Sequence, residues 1–223
     1  KKPYIKHEDS IFCIGTGVCA KDNKHEVHTT LFQQKGKRGK VGKDLCGNIY
    51  YTDEPVVWEA KDQESLDLYG GGMRRNHFWS AYINHGINPC NASYVYQIGV
   101  GGAAKRKFEI LKNDEFAHIV KVDSTIYYAI FRAGELQGLD EQIFVSEPVL
   151  MVRTPGELYV TVPDLGLYEE DPTQYDSKGN RKEVSLYSRN WLENKRKQYR
   201  LEINLAKKVY RRIVRGGEVE RFN

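Results

Sequence analysis

The densest grouping of side chains able to grip an anion is Met73-Arg-Arg-Asn-His77, which follows three consecutive glycines, Gly70 to Gly72. Arginine forks match the planar geometry of sulfate or carboxylate oxygens, and a protonated histidine adds a further donor. Trp79, two residues beyond His77, supplies an aromatic face. Arg74, Arg75, His77 and Trp79 are therefore the candidate substrate-binding residues, with the glycines expected to place the arginines and the histidine on a loop that leads into a strand at Phe78. The competing reading is an ordinary solvated turn. Trp79, Tyr82, Tyr94 and Tyr96 are the aromatics available to stack on a pyranose ring, although aromatics that alternate within strands are more often core.

The other chemistry-bearing residues form no catalytic pattern, and no catalytic residue is assigned. None of the six histidines, His7, His25, His28, His77, His85 and His118, stands in an HExxH or HxH arrangement, so no metal site is expected. His25 and His28, three apart at a strand start, point to different faces. No GxSxG is present. Val100-Gly-Gly-Ala-Ala-Lys-Arg-Lys107 lacks the spacing of a phosphate-binding loop and no helical pattern follows it. Acidic clusters such as Glu169-Glu-Asp171 fall in polar stretches and read as solvated charge. Cys13, Cys19, Cys46 and Cys90 lack a CxxC pairing, and buried free thiols are the expectation, with one disulfide as the alternative in an oxidising compartment. Asn91-Ala-Ser93 fits a glycosylation sequon, a pattern that also arises by chance.

Composition bounds the partners. The chain has 223 residues, 40% hydrophobic and 29% charged, which describes a globular protein with a real core. A formal charge of +4 favours polyanionic partners without choosing among them. No apolar run approaches the ~20 residues needed to span a bilayer, and Lys1 to Ser10 lacks the apolar core of a signal peptide. The opening Lys-Lys pair, without an initiator Met, suggests a start partway through a longer polypeptide. Fifteen tyrosines suit pleated, half-buried surfaces.

The elements that must position these residues read as strands. Ser10–Ala20 is apolar with two glycines, as expected where a buried strand bends or meets another backbone closely. Glu26–Gln33 alternates, and with Ser10–Ala20 it reads as a hairpin across Lys21–His25. A basic, glycine-rich loop, Lys35–Lys43, follows. Further strands are expected at Asn48–Thr52, Val56–Ala60, Phe78–Asn84, Ser93–Val100, Phe108–Leu111, Ala117–Val122, Thr125–Arg132, Gln142–Val145, Val149–Arg153 and Glu157–Val162. Leu167–Glu183 reads as a long surface loop, Ser188–Gln198 fits a short helical turn or a hairpin tip, and Tyr199–Leu205 alternates as a strand. The basic tail is expected to fray after Val214. The fold class is all-β: an antiparallel β-sandwich over residues 1–104, then a smaller antiparallel β domain over 105–223, with a soft boundary at Gly101–Lys105.

Two stretches carry a specific resemblance: Ser10-Ile-Phe-Cys-Ile-Gly-Thr-Gly-Val with His28-Thr-Thr-Leu-Phe-Gln33, and Phe78-Trp-Ser-Ala-Tyr-Ile-Asn-His-Gly86 with Asn91-Ala-Ser-Tyr-Val-Tyr96. Their order, gaps and residue types resemble polysaccharide lyase family 8, and within it the chondroitin sulfate ABC lyases. Past residue 108 the likeness is looser and includes Phe108-Glu-Ile-Leu111, Pro148-Val-Leu-Met151 and Val162-Pro-Asp-Leu165. The resemblance implies a secreted or periplasmic enzyme with an incomplete α/α toroid followed by stacked antiparallel sheets. That enzyme degrades an acidic glycosaminoglycan: a base removes the uronic acid C5 proton and the 4-linked oxygen departs. The family's catalytic His, Tyr and Arg lie on the toroid, so the resemblance places this chain in the C-terminal β region and implies no catalytic residue in it. The implied partners are the acidic polysaccharide and the preceding toroid, with no nucleic acid and no membrane span. The implied cofactor is none, a divalent ion such as calcium in the longer enzyme being left open. The alternative is a stand-alone carbohydrate-binding or structural β-sandwich.

Overall fold

The computed structural model describes residues 4–36, 43–66, 70–139, 141–164 and 197–222. Among them seventeen strands and one three-residue 3-10 turn, Val100–Gly102, account for the regular structure, so the expected all-β class holds. The chain falls into two compact units, Lys1–Asp123 and Ser124–Asn223.

In the first unit, β1 (Tyr4–His7), β2 (Ser10–Val18), β7 (Ala92–Gly99) and β4 (Ile49–Tyr51) form a sheet in the order β1-β2-β7-β4. A second sheet has the order β3-β6-β5, from β3 (Glu26–Lys35), β6 (Met73–Ile87) and β5 (Val56–Leu66). All pairings in both sheets are antiparallel. The sheets meet through Cys13, Tyr94 and Tyr96 on one side and Leu31, Phe32, Ala81 and Ile83 on the other, with Tyr50, Val56, Trp58 and Ile98 at the margins. This apolar layer is what alternating strands with one dry face must build.

The expected hairpin between Ser10–Ala20 and Glu26–Gln33 is not formed, because β2 pairs with β1 and β7 while β3 pairs with β6. The reason lies in the faces of β2. Cys13 points into the sandwich core, and Phe12 and Ile14, also fully buried, point the other way. A strand apolar on both faces requires a sheet-interior position, whereas β3 is apolar on one face only. Phe12 meets Phe108 with ring centroids 4.8 Å apart. Phe108 opens β8 (Phe108–Asn113), which pairs with β9 (Ala117–Val122). Thr16 of β2 bonds His118 of β9 at 3.0 Å. The β8–β9 hairpin, past the expected 104/105 boundary, thus packs within the first unit.

In the second unit, β10 (Thr125–Ile130) pairs with β13 (Val149–Arg153), β13 with β14 (Leu158–Thr161), and β14 with β17 (Glu220–Phe222). A four-stranded sheet joins β11 (Gly134–Leu136), β12 (Ile143–Val145), β15 (Gln198–Leu205) and β16 (Lys208–Arg215) in the order β11-β12-β15-β16. The inward series Tyr199, Leu201, Ile203 and Leu205 is buried, as the alternation predicts. The tail does not fray. Gly217, at φ +76°, turns the chain back and donates to the Val162 carbonyl at 2.8 Å, after which Phe222 pairs with Leu158 and is buried. The expected loop at Leu167–Glu183 lies outside the described residues, as do residues 188–196 of Ser188–Gln198 and residues 37–42 of the basic loop.

Only Cys13 is a buried thiol; Cys19, Cys46 and Cys90 are free but exposed, which corrects the expectation of buried thiols. Cys13 lies on β2, which is dry on both faces, while the other three sit in loops and just past strand ends.

Candidate functional site

Arg74, Arg75 and His77 lie on a strand, not on the expected loop. β5 and β6 form a ribbon with unbroken register from Val56↔Ile83 to Leu66↔Met73, so β6 extends well beyond Phe78–Asn84. The physical cause is charge complementarity between directly opposed residues, Asp62 facing His77 and Glu64 facing Arg75. The period-2 geometry then sorts the candidates. Arg75, His77 and Trp79 fall on one face with Asp62 and Glu64, and further along that face Ala81, Ile83 and Trp58 enter the sandwich core. Arg74 is on the opposite face. Three of the four candidates are thus brought together, at a spacing of about 6.6 Å along the strand, and the fourth is not.

Asp62 organises this strip. Its Oδ1 accepts from His77 Nδ1 at 2.8 Å, and its Oδ2 accepts from Arg75 Nε at 3.1 Å and from Nη2 at 2.9 Å. Glu64 lies 3.9 Å from Arg75 Nε. The hydrogen bond from His77 holds the Asp62 carboxyl below its ordinary range; desolvation opposes it, and the Arg75 charge and hydrogen bond add to the lowering. Side-chain exposures of 66% for Arg75, 53% for His77 and 44% for Asp62 put all three in water. Solvent screens such exposed pairs, so they contribute little and a polyanion can displace Asp62 from Arg75 easily. Trp79 is half-buried, with Gln34 opposite it on β3. Gln34 is itself tied down, its Oε1 accepting from the Leu45 amide at 2.9 Å. Asp62, Glu64 and Gln34 were not among the candidates; the acidic pair was visible only as opposite charge across the glycine turn.

The remaining aromatics resolve toward core. Tyr94 and Tyr96 are buried in the sandwich, and Tyr82 is covered by His28, whose ring stacks on it at 3.9 Å and 15°. His28 also bonds Glu26, and His25 bonds Asp22, while Thr29 and His85 meet at 2.8 Å. No group of three or more His, Cys, Asp or Glu able to hold a metal occurs among the described residues. None of the structure's helices is long and apolar enough to cross a membrane, among the described residues.

An open groove of about 430 Å³ lies elsewhere on the first unit, lined in part by Tyr51, Asp53, Lys105, Arg106 and Phe108. Two of its three cations, Lys105, Arg106 and Lys107, are engaged: Arg106 bonds Glu8 and Asp123 at 2.5 and 3.0 Å, and Lys105 bonds Asp53 at 3.0 Å. Tyr51 donates its hydroxyl to the Ala103 carbonyl. With three carboxylates around Arg106 and one on Lys105, the groove suits an anion less well than the ribbon does.

No protein-family model matches the chain. The chain is 29% identical over 227 residues to the chondroitin sulfate ABC exolyase of Proteus vulgaris, an alignment covering 86% of this chain and 23% of that enzyme. It is 27% identical over 230 residues to the chondroitin sulfate ABC exolyase of Bacteroides thetaiotaomicron, covering 87% and 22%. A solved chondroitinase AC lyase shares the fold, with a TM-score of 0.63 at 16% identity over 99% of this chain and 36% of its own. The chain is therefore a relative of the chondroitin sulfate ABC exolyases over most of its own length, and it spans about a quarter of theirs.

Proposed function

We propose that this chain is the C-terminal, non-catalytic β portion of a lyase that cleaves acidic glycosaminoglycans, chondroitin or dermatan sulfate foremost and hyaluronan as a further substrate, by β-elimination. The observation that carries the reading is the alignment of over four-fifths of the chain with two chondroitin sulfate ABC exolyases. In this reading the sandwich belongs to the enzyme's central sheets and the later strands to its small C-terminal domain. Its partners are the acidic polysaccharide and a preceding α/α toroid that carries the chemistry. The enzyme is secreted or periplasmic, where its polymeric substrate is accessible.

Arg75, His77 and Trp79 are the residues through which this portion touches the polymer. A guanidinium, an imidazole and a half-buried indole at strand spacing suit a chain that alternates anionic groups with apolar sugar faces. The test is direct. Incubated alone with chondroitin sulfate, the chain yields no rise in absorbance at the enone band of the unsaturated product, while the Proteus vulgaris exolyase under the same conditions does. On immobilised chondroitin sulfate it is retained at low salt and released as salt rises. Turnover by the chain alone would refute the non-catalytic assignment, and absence of retention would refute the strip.

The second reading, a stand-alone carbohydrate-binding module, is favoured by the strip itself, which needs no toroid to be complete. Joining the chain to the toroid of a relative separates the two: a lyase portion restores turnover to a toroid lacking its own β region, and an independent module does not.

A further inference from the structure

At the open end of the β2–β7 ladder two exposed cysteines far apart in the chain, Cys19 and Cys90, lie near each other. The last paired residues are Val18 and Ala92. Just beyond them the Ala20 amide donates to the Pro89 carbonyl at 3.1 Å, and the Asn91 amide donates to the Sγ of Cys19 at 3.0 Å. The Asn91 nitrogen is two bonds from the Cα of Cys90, so the Cys19 sulfur lies within about 5.5 Å of that Cα, inside the range that a change of χ1 at each cysteine spans. Both side chains are exposed, hence open to a redox partner. Cys13 is fully buried, and Cys46 sits in the Asp44–Gly47 turn, bracketed by the Gly47 amide bond to Asp44.

We propose that Cys19 and Cys90 are a disulfide-forming pair, closed by a disulfide-bearing oxidant of the glutathione class to clasp the end of β2 to the start of β7. One thiolate attacks the oxidant disulfide and expels a thiolate. The second thiol then displaces the other half of the oxidant from the mixed disulfide. Two protons and two electrons leave the pair and reappear as two thiols of the reduced oxidant. The bond closes a loop of roughly 70 residues, a span at which a cross-link restricts the unfolded chain strongly. It also falls next to Gly17 and the Thr16–His118 contact, where the β2–β7 register slips between Gly15 and Val18. The clasp does not rest on the lyase reading.

The test takes the reduced full chain through oxidised and reduced glutathione mixtures, blocks thiols with an alkylating reagent and maps the peptides. The expected product is one intramolecular link between Cys19 and Cys90, with Cys46 remaining alkylatable and the melting temperature raised by about 5 °C or more, reversed by reductant. Cys46→Ser leaves the link intact. Cys90→Ser leaves Cys19 as a mixed disulfide with glutathione and removes the thermal shift. Linkage of either residue to Cys46 overturns the proposal, as do mixed disulfides alone in the unsubstituted chain.

Discussion

Gly15→Ala is the sharpest probe of how the first unit is held together. Gly15 stands opposite Tyr94 in the β2–β7 register, and a Cβ built on it would lie 2.3 Å from Cε1 and 2.4 Å from Cζ of the Tyr94 ring. Carbon contacts settle at about 3.5 Å or more, so the ring would have to retreat by more than 1 Å. It has nowhere to go: Tyr94 is 3% exposed, belongs to the sandwich core, and has the Tyr96 and His85 rings at 5.9 and 6.3 Å. Forced overpacking of this kind costs about 1–3 kcal/mol. A glycine in ordinary backbone conformation would otherwise gain about 0.4–1 kcal/mol on replacement by alanine, through the unfolded chain, so the two effects have opposite signs. Mid-range values net to a loss of about 1.3 kcal/mol, so at a urea dependence of about 2 kcal/mol per molar the midpoint should fall by roughly 0.6 M. In a Tyr94→Leu background the same change should cost less than about 0.5 kcal/mol, because the two positions share one contact. A midpoint for Gly15→Ala equal to or above that of the unsubstituted chain, or strict additivity with Tyr94→Leu, would refute the packing argument.

Other substitutions test the ribbon and the titrating groups. Asp62→Asn raises the formal charge from +4 to +5 and releases Arg75 and His77, so elution from immobilised chondroitin sulfate should move to higher salt, while Arg75→Ala and Trp79→Ala move it lower; unchanged elution for all three removes the ribbon from contention. For Asp114, desolvation raises the pKa, but bonds from Lys112 and the amides of Ala117 and Phe116 outweigh it and leave the group below 3.8. Its stabilisation is therefore complete above the unfolded value and is lost as pH falls through the folded one, so urea midpoints of Asp114→Asn should vary less with pH below about 5 than those of the unsubstituted chain. Burial pushes the Cys13 thiol up to about 11, against a smaller opposing bond with Tyr96, so in the reduced native chain iodoacetamide at pH 8 should modify Cys19, Cys46 and Cys90 quickly and Cys13 only on unfolding; equal rates would contradict the dry core.

Strand identity was legible wherever one face is dry. Tyr199 to Leu205 and Val149 to Arg153 alternate, and both are strands. Pairing was legible much less, because it depends on partners distant in the chain. The Lys21–His25 turn looks like a hairpin turn, yet it passes the chain from one sheet to the other, each strand finding its partner in residues 73–99. The same blindness hid β17, since nothing local marks Glu220–Phe222 as a strand until Leu158–Val160 is beside it. At the ribbon, the residue types pointed to anion binding, but the glycines suggested a loop. Only the register, pairing Asp62 with His77 and Glu64 with Arg75, puts three candidates on one face and Arg74 on the other.

The residues that carry the likeness to the lyases and the residues that look able to bind their substrate are largely different sets, for a physical reason. Gly15, Leu31, Phe32, Ala81, Ile83, Tyr94 and Tyr96 all fall within the matching stretches, and all meet in one contact layer or beneath it. Such a layer tolerates little change of volume, so it preserves a pattern over long divergence. Arg75 and His77 precede Phe78, outside those stretches, on the exposed end of a ribbon where substitution costs little stability. Trp79 alone belongs to both, half-buried on the face that continues to Ala81. The contact layer holds the scaffold, and exchange on the exposed ribbon leaves that layer untouched. Exchanging residues 62–77 between this chain and a relative should therefore transfer salt-dependent retention while leaving the urea midpoint within about 0.5 kcal/mol of the parent's.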